Sequence, residues 1–167
     1  MITLNGGQFS DVDTYLLSTL ALSAATGQAF EMTEIGKLNR PIGLTPFHLT
    51  AIKTIAGICQ AQVKGNIVRS QRLSFVPTHP ARASDVVVDT SEVTGRSSSA
   101  SVAPLAETLI SALSRATDDS FIRLRGVNAS PFSASTFWLR ETFVPMLVRL
   151  GIHAAVEMEK VGWFPDG

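Results

Sequence analysis

The chain has little of what marks several functional classes. It has one cysteine, Cys59, so no intramolecular disulfide framework can form, and a reducing compartment, the cytoplasm, is expected. Its three histidines, His48, His79 and His153, stand far apart in sequence. No pair has metal-ligand spacing, and no metal site is expected. There is no excess charge of either sign: 14 basic and 14 acidic side chains cancel, with a pI of about 6.8. Such a balance lacks the global electrostatic footprint of a nucleic-acid binder, so any RNA contact has to come from a local patch. The apolar run Tyr15 to Ala25 is preceded by Asp11 and Asp13 and by no basic residue. It reads as a core helix and not as a signal segment. No run approaches the length of a membrane span, and no membrane partner is expected.

What is present is enough for a core. Hydrophobic residues make up 45% of the 167, and a chain of this size buries roughly 70% of its unfolded surface without staples. The clearest pattern is Gly43 to Cys59, GLTPFHLTAIKTIAGIC. Thr45 supplies a capping hydroxyl, Pro46 sits where its missing N–H costs nothing, and Leu49, Ile52, Ile55, Ala56 and Cys59 fall on one helix face. Cys59 on that face reads as a small buried hydrophobe. Upstream, MITLN is a short strand. Ser10 and Asp11 are cap candidates for a helix reaching about Thr26, Asp13 suits the dipole of its first turn, and Gly27 is its stop. Leu16, Leu20 and Ser23 share one face of it, flanked by Tyr15, Thr19 and Leu22. Phe30 to Ile35 alternate as a strand, and AQVKG and RLSFVPT give two more.

Thr78 to Ser84 reads as a connector. Beyond it, Asp85 to Asp89 is a strand, Ser97 to Ser101 offers N-caps, and Val102, Leu105, Ala106, Leu109, Ile110 and Leu113 form a helical stripe. Phe121 to Arg125 is a strand, and Phe137 to Leu150 an apolar helix ended by Gly151. Pro145 inside that helix costs about 3 kcal/mol unless a kink is wanted. Ile152 to Val161 is expected as a strand. The second half answers the first at an offset of roughly ninety residues, FEMTEIGKLN against FIRLRGVNAS and LSFVP against GWFP. The expected fold is therefore α+β: two tandem β-α-β-α-β-β units with helices packed on mixed sheets. They span residues 1–78 and 85–167, joined by a connector at 79–84, with the last strand of the second incomplete.

On these segments the chain resembles the RNA 3'-terminal phosphate cyclase family. The residues that carry the likeness are TLALSAATGQAF (Thr19 to Phe30), GL..P.HLTAI (Gly43 to Ile52), IC.A.VKG (Ile58 to Gly65), S..LSFVP (Ser70 to Pro77) and RG....PFS.....LRETFVPML..LG (Arg125 to Gly151). The resemblance implies the first two of that family's three β-α-β-α-β-β repeats. It also implies departures. The acidic, glycine-rich loop GEGGGQ that helps the family hold nucleotide and metal falls on Phe9 to Tyr15, where no glycine stands. Gly6-Gly7-Gln8 lies further upstream. The family's arginine in the first helix corresponds to Leu17, and the arginine and glutamine of its GLRPQHLT segment to Thr45 and Phe47. Its GTAGS turn falls on Ser91 to Gly95. The histidine nucleophile of the family belongs to a third repeat, after a small inserted domain.

No residue is therefore expected to be catalytic, and no cofactor is expected unless the chain is part of an active cyclase, which implies ATP and Mg²⁺. The phosphate- or RNA-binding candidates are Arg40, His48, Arg69, Arg72 and Arg125, since arginine suits bidentate phosphate contact. For His48 the competing reading is a structural hydrogen bond, and for the arginines, with Arg82 and Arg123, solvated strand edges that discourage aggregation. Pro131 and Phe132 fall where the resemblance places adenine packing; the competing reading is an apolar loop anchor. Asp118 and Asp119 read as a turn pair. The expected function is a scaffold or RNA-associated binding module. The alternatives are a fragment or component of an active cyclase, and a purely structural homo-oligomer. A homodimer is the expected assembly, with RNA, or a protein supplying the third repeat, as further expected partners.

Overall fold

The computed structural model describes residues 1–90, 101–131 and 133–164. Strand β1 (Ile2–Asn5) passes through a single 3-10 turn (Gly6–Gln8) to helix α1 (Val12–Thr26). There follow β2 (Phe30–Thr33), α2 (Pro46–Cys59), β3 (Gln62–Lys64) and β4 (Leu73–Val76). These four strands form one mixed sheet in the order β1-β2-β4-β3, with β1 parallel to β2 and the other pairs antiparallel. A second sheet holds β5 (Asp85–Asp89) parallel to β6 (Phe121–Arg125), joined through α3 (Val102–Leu113). The fold is α+β, as the alternation of strand and helix patterns implies.

The helix ends form where the side chains predict. Asp11 accepts from the Thr14 N–H at 3.1 Å, and Gly27 ends α1 in the left-handed region at φ 72°. Thr45 caps α2 with Pro46 behind it, and Ser101, the described member of the expected Ser97 to Ser101 group, caps α3. Helix α1 is buried at Val12, Leu16, Leu17, Leu20, Ala21, Ser23 and Ala24. These positions cover more than one face, because α1 packs against both α2 and α3. Leu22, expected beside the apolar face, is instead 65% exposed. One continuous core joins Phe30, Met32, Leu73 and Phe75 of the first sheet to Val88, Leu105 and Leu109 of the second half. Cys59 is fully buried in it, and burial pushes its thiol pKa up.

Two expectations after Ser135 are corrected. The apolar helix is not a uniform α-helix: α4 (Thr136–Trp138) opens into a π turn (Leu139–Phe143) before α5 (Val144–Arg149). The Val144 N–H donates to the Leu139 carbonyl five residues back. The wider turn ends just before Pro145, which has no N–H to offer, so it is here that the helix accommodates the proline. Ile152 to Val161, expected as a strand, carries no strand. Residues 152–158 keep the alternating exposure of one, but among the described residues no neighbouring strand meets them.

Candidate functional site

Strands β1 and β2 run parallel, so the chain leaves both at the same end of the sheet, and the N-termini of α1 and α2 meet there. Crevices at the carboxyl ends of parallel strands, facing the positive ends of helix dipoles, are the usual place for anionic ligands in such sheets. The start of antiparallel β4 brings Arg72 to this end as well. Four stretches build the region: Gly6 to Asp13, Glu34 to Gly43, Thr45 to His48, and Arg69 to Arg72.

The loop between β2 and α2 is pinned by its backbone. The Ile35 N–H donates to the Gln71 carbonyl at 3.1 Å, Leu44 N–H to Ser70 at 2.9 Å and Arg69 N–H to Leu44 at 2.8 Å. Gly43, at φ 83°, is required here, since a Cβ on it would lie 2.4 Å from the Arg69 carbonyl oxygen. Asn39 ties the loop to the start of α1, donating from Nδ2 to the Ser10 carbonyl at 3.1 Å. Its own Oδ1 is buried without a hydrogen-bond partner.

His48 is 1% exposed and anchors the region. Its Nδ1 accepts from the Thr45 N–H at 3.1 Å while the Thr45 hydroxyl accepts from the His48 N–H at 3.3 Å, a reciprocal capping box. With Nδ1 accepting, Nε2 carries the proton and donates to Asp13 Oδ1 at 2.7 Å. Asp13 lies in the first turn of α1, and its carboxyl is held below the usual range chiefly by that hydrogen bond. The sequence places Asp13 only at a helix dipole. The signal for the pair was present: parallel neighbouring strands put position three of one helix beside the start of the other.

The arginine candidates separate. Arg40 is exposed, and its Nη1 donates to the Asn39 carbonyl at 2.8 Å. Arg69 is exposed on the adjoining loop, at φ 67°. Arg72 forms an ion pair with Glu31 at 2.8 Å, which lowers the glutamate pKa. Lys37 pairs with Glu34 at 2.6 Å. Arg125 is exposed at the end of β6, in the other sheet, and so does not join this group. Pro131 is exposed in the loop after β6, and Phe132 lies outside the described residues. Among the other histidines, His79 and His153 are both exposed.

Chemically, both His48 nitrogens are engaged and the thiol of Cys59 is buried, so neither is poised as a nucleophile. The residues at the start of α1 do not fit a nucleotide triphosphate. Asp11 caps the helix and Asp13 turns to His48, so a polyphosphate would meet two carboxylates where it needs free N–H groups. Among the described residues no three His, Cys, Asp or Glu side chains gather in a way that could hold a metal ion. No helix among them is long and apolar enough to cross a membrane.

A mixed sheet with two capped helices opening at the carboxyl ends of its parallel strands places the chain in the class of α+β proteins. Within it the chain belongs to the RNA 3'-terminal phosphate cyclase family, whose model matches residues 10–167. It is 32% identical over 167 residues to an RNA 3'-terminal phosphate cyclase of Methylococcus capsulatus, covering all of this chain and 46% of that protein. A cyclase of Nostoc is also 32% identical, with 48% of its length covered, and one of Gloeothece citriformis 29%, likewise with 48% covered. The chain thus spans about half the length of the curated relatives it matches.

Proposed function

We propose that this chain is a non-catalytic member of the cyclase family that contacts RNA phosphate at the open end of its first sheet. The observation that carries the reading is the pairing of Asp13 with His48 at 2.7 Å. It places a carboxylate where the family's glycine-rich nucleotide loop is expected, and it occupies the one buried imidazole. Arg40 and Arg69, exposed on adjoining loops and without a carboxylate partner among the described ion pairs, supply the cationic contact. Phosphate contacts of this kind bind without reading sequence and weaken steeply with salt.

The experiment has two arms. Protein incubated with labelled ATP and Mg²⁺ is expected to take up no covalent label; stable adenylylation overturns the non-catalytic reading. Single-stranded RNA ending in a 3'-phosphate is expected to bind with an affinity that falls with salt by about 0.7 log unit per log unit for each phosphate contacted. Arg40→Ala and Arg69→Ala should each flatten that slope. An absence of binding at low salt overturns the RNA reading.

A second reading, a component of an active cyclase, is favoured by the whole-length alignment to proteins of that name. It predicts ATP-dependent cyclisation of an RNA 3'-phosphate once a polypeptide matching the relatives' remaining half is added.

A further inference from the structure

The stretch Phe9 to Tyr15 carries an aromatic ring at each end, and the start of α1 folds one onto the other. Asp11 caps the helix, and the Tyr15 N–H donates to the Asp11 carbonyl at 3.3 Å. Phe9, still extended at φ −116° and ψ 131°, brings its ring back over that first turn. The two rings stack with centroids 4.0 Å apart and planes 24° from parallel. Tyr15 packs against the core, whereas Phe9 is 42% exposed. With the tyrosine on one face, that exposure belongs to the other face and the ring edge. A hydrophobic contact across a helix start fixes the entry of the chain, but an aliphatic side chain does that equally well and needs no ring left open to solvent.

The Phe9 backbone is held before any ligand arrives. Asn5 Oδ1 accepts from the Gly7 N–H at 2.8 Å, the Phe9 N–H reaches the Gly6 carbonyl at 3.5 Å, and Asn39 Nδ2 donates to the Ser10 carbonyl at 3.1 Å. The last bond also sets what lies beside the rings. Phe9 precedes one of its partners and Arg40 follows the other, and both are exposed. Charge separates their roles. Asp11 and Asp13, exposed between the two rings in sequence, repel a phosphate but not a neutral nucleobase, while the Arg40 guanidinium attracts the phosphate. A single strand of nucleic acid carries both groups in each repeat of its chain. A duplex keeps its bases stacked within itself, and an apolar protein surface brings nothing for the arginine.

We propose that the outer face of Phe9, backed by Tyr15, is a stacking platform for one unpaired base of single-stranded RNA, with the adjoining phosphate on Arg40. The inference rests on the phosphate reading above and adds a base contact that phosphates alone do not supply. Any base can stack, since each has a π-face, and purines, with the larger face, should be favoured modestly over pyrimidines. Because the platform is fixed in the free chain, little ordering is lost on binding.

The test compares a short single-stranded oligoadenylate with an abasic strand of the same length, titrated against the full chain at low salt. The parent should bind the oligoadenylate about tenfold more tightly than the abasic strand. Phe9→Leu keeps an aliphatic contact on Tyr15 and should lose that tenfold while leaving the abasic affinity and the salt slope at parental values; Phe9→Trp should restore it. An oligomer carrying 2-aminopurine should be quenched by the parent and by Phe9→Trp, and much less by Phe9→Leu. If the parent binds both strands equally, or Phe9→Leu still prefers the oligoadenylate, the platform is overturned and the phosphate reading stands. If neither strand binds, both fall. The platform is also overturned if the chain self-associates with rising concentration and Phe9→Leu abolishes that association, which makes the ring a contact between copies.

Discussion

His48 can hold only one tautomer without losing a bond. Its Nδ1 takes the Thr45 N–H and its Nε2–H goes to Asp13, so the ring couples the cap of α2 to the first turn of α1. The Asp13 carboxyl titrates below its ordinary value of 3.8 because the His48 hydrogen bond outweighs desolvation. A carboxyl whose folded pKa is depressed adds stability that is fully present above the unfolded pKa and is lost as pH falls through the folded one. The Asp13 side chain is 63% exposed, so solvent screens the pair and the contribution is small. Asp13→Asn keeps an acceptor but removes the charge. It should lower the urea midpoint at pH 7 and match the parent more closely below about pH 4. An equal gap at both ends of the range would show that the charge plays no part. Sequence alone made His48 a choice between hydrogen bond and phosphate contact. The choice depended on a partner 35 residues away, and only the parallel pairing of β1 with β2 brings the two together.

At the scale of elements, the signals that carried over were local ones. Thr45 with Pro46, Asp11, and Gly27 each act through backbone groups within four residues, and each forms the terminus expected of it. What did not carry over needed a neighbour. Ile152 to Val161 keeps strand periodicity only over 152–158 and, among the described residues, has no strand beside it, and the cost expected of Pro145 in a uniform helix is met by a π turn just ahead of it. Two glycines near opposite ends of α2, Gly43 ahead of its N-cap Thr45 and Gly57 ahead of its C-cap Gln60, show how context decides. Gly43 has φ 83° and faces the Arg69 carbonyl at 2.4 Å from a would-be Cβ, whereas Gly57, exposed in the helix, has open space around it. Gly43→Ala should therefore cost about 2 kcal/mol or more, through left-handed strain and a backbone clash that the loop can relieve only by moving. Gly57→Ala should instead stabilise by about 0.5–1 kcal/mol, by restricting the unfolded chain and improving helix propensity. Thermal midpoints of the two variants moving in the same direction would contradict the loop geometry that positions Arg40 and Arg69.

At the scale of the whole molecule, the connector at 79–84 and the answering patterns on either side predict two tandem repeats and leave open whether they share a core; the apolar residues of both halves form a single buried cluster. The reason lies in α1, whose Leu16, Leu17, Leu20, Ala21 and Ala24 are all buried, since it packs against α2 of its own half and α3 of the other. A broad apolar face was legible in Tyr15 to Ala25; which elements would cover its sides was not, because propensity and periodicity say nothing about contacts 80 to 90 residues away in sequence. If the core is shared, unfolding is shared. Leu109 of α3, fully buried in that cluster, is the place to ask. Leu109→Ala should cost about 2–5 kcal/mol through lost burial and the cavity left behind. The loss should register equally in both halves. Both tryptophans, Trp138 and Trp163, lie after α3, so fluorescence follows the second half. Amide exchange in β2 and β4 follows the first. Coincident denaturation curves from the two probes, in the parent and in Leu109→Ala alike, are expected for one cooperative unit. If Leu109→Ala shifts the tryptophan transition while β2 and β4 keep the parent midpoint, the halves unfold separately and the packing of α1 on α3 contributes little to the stability of either.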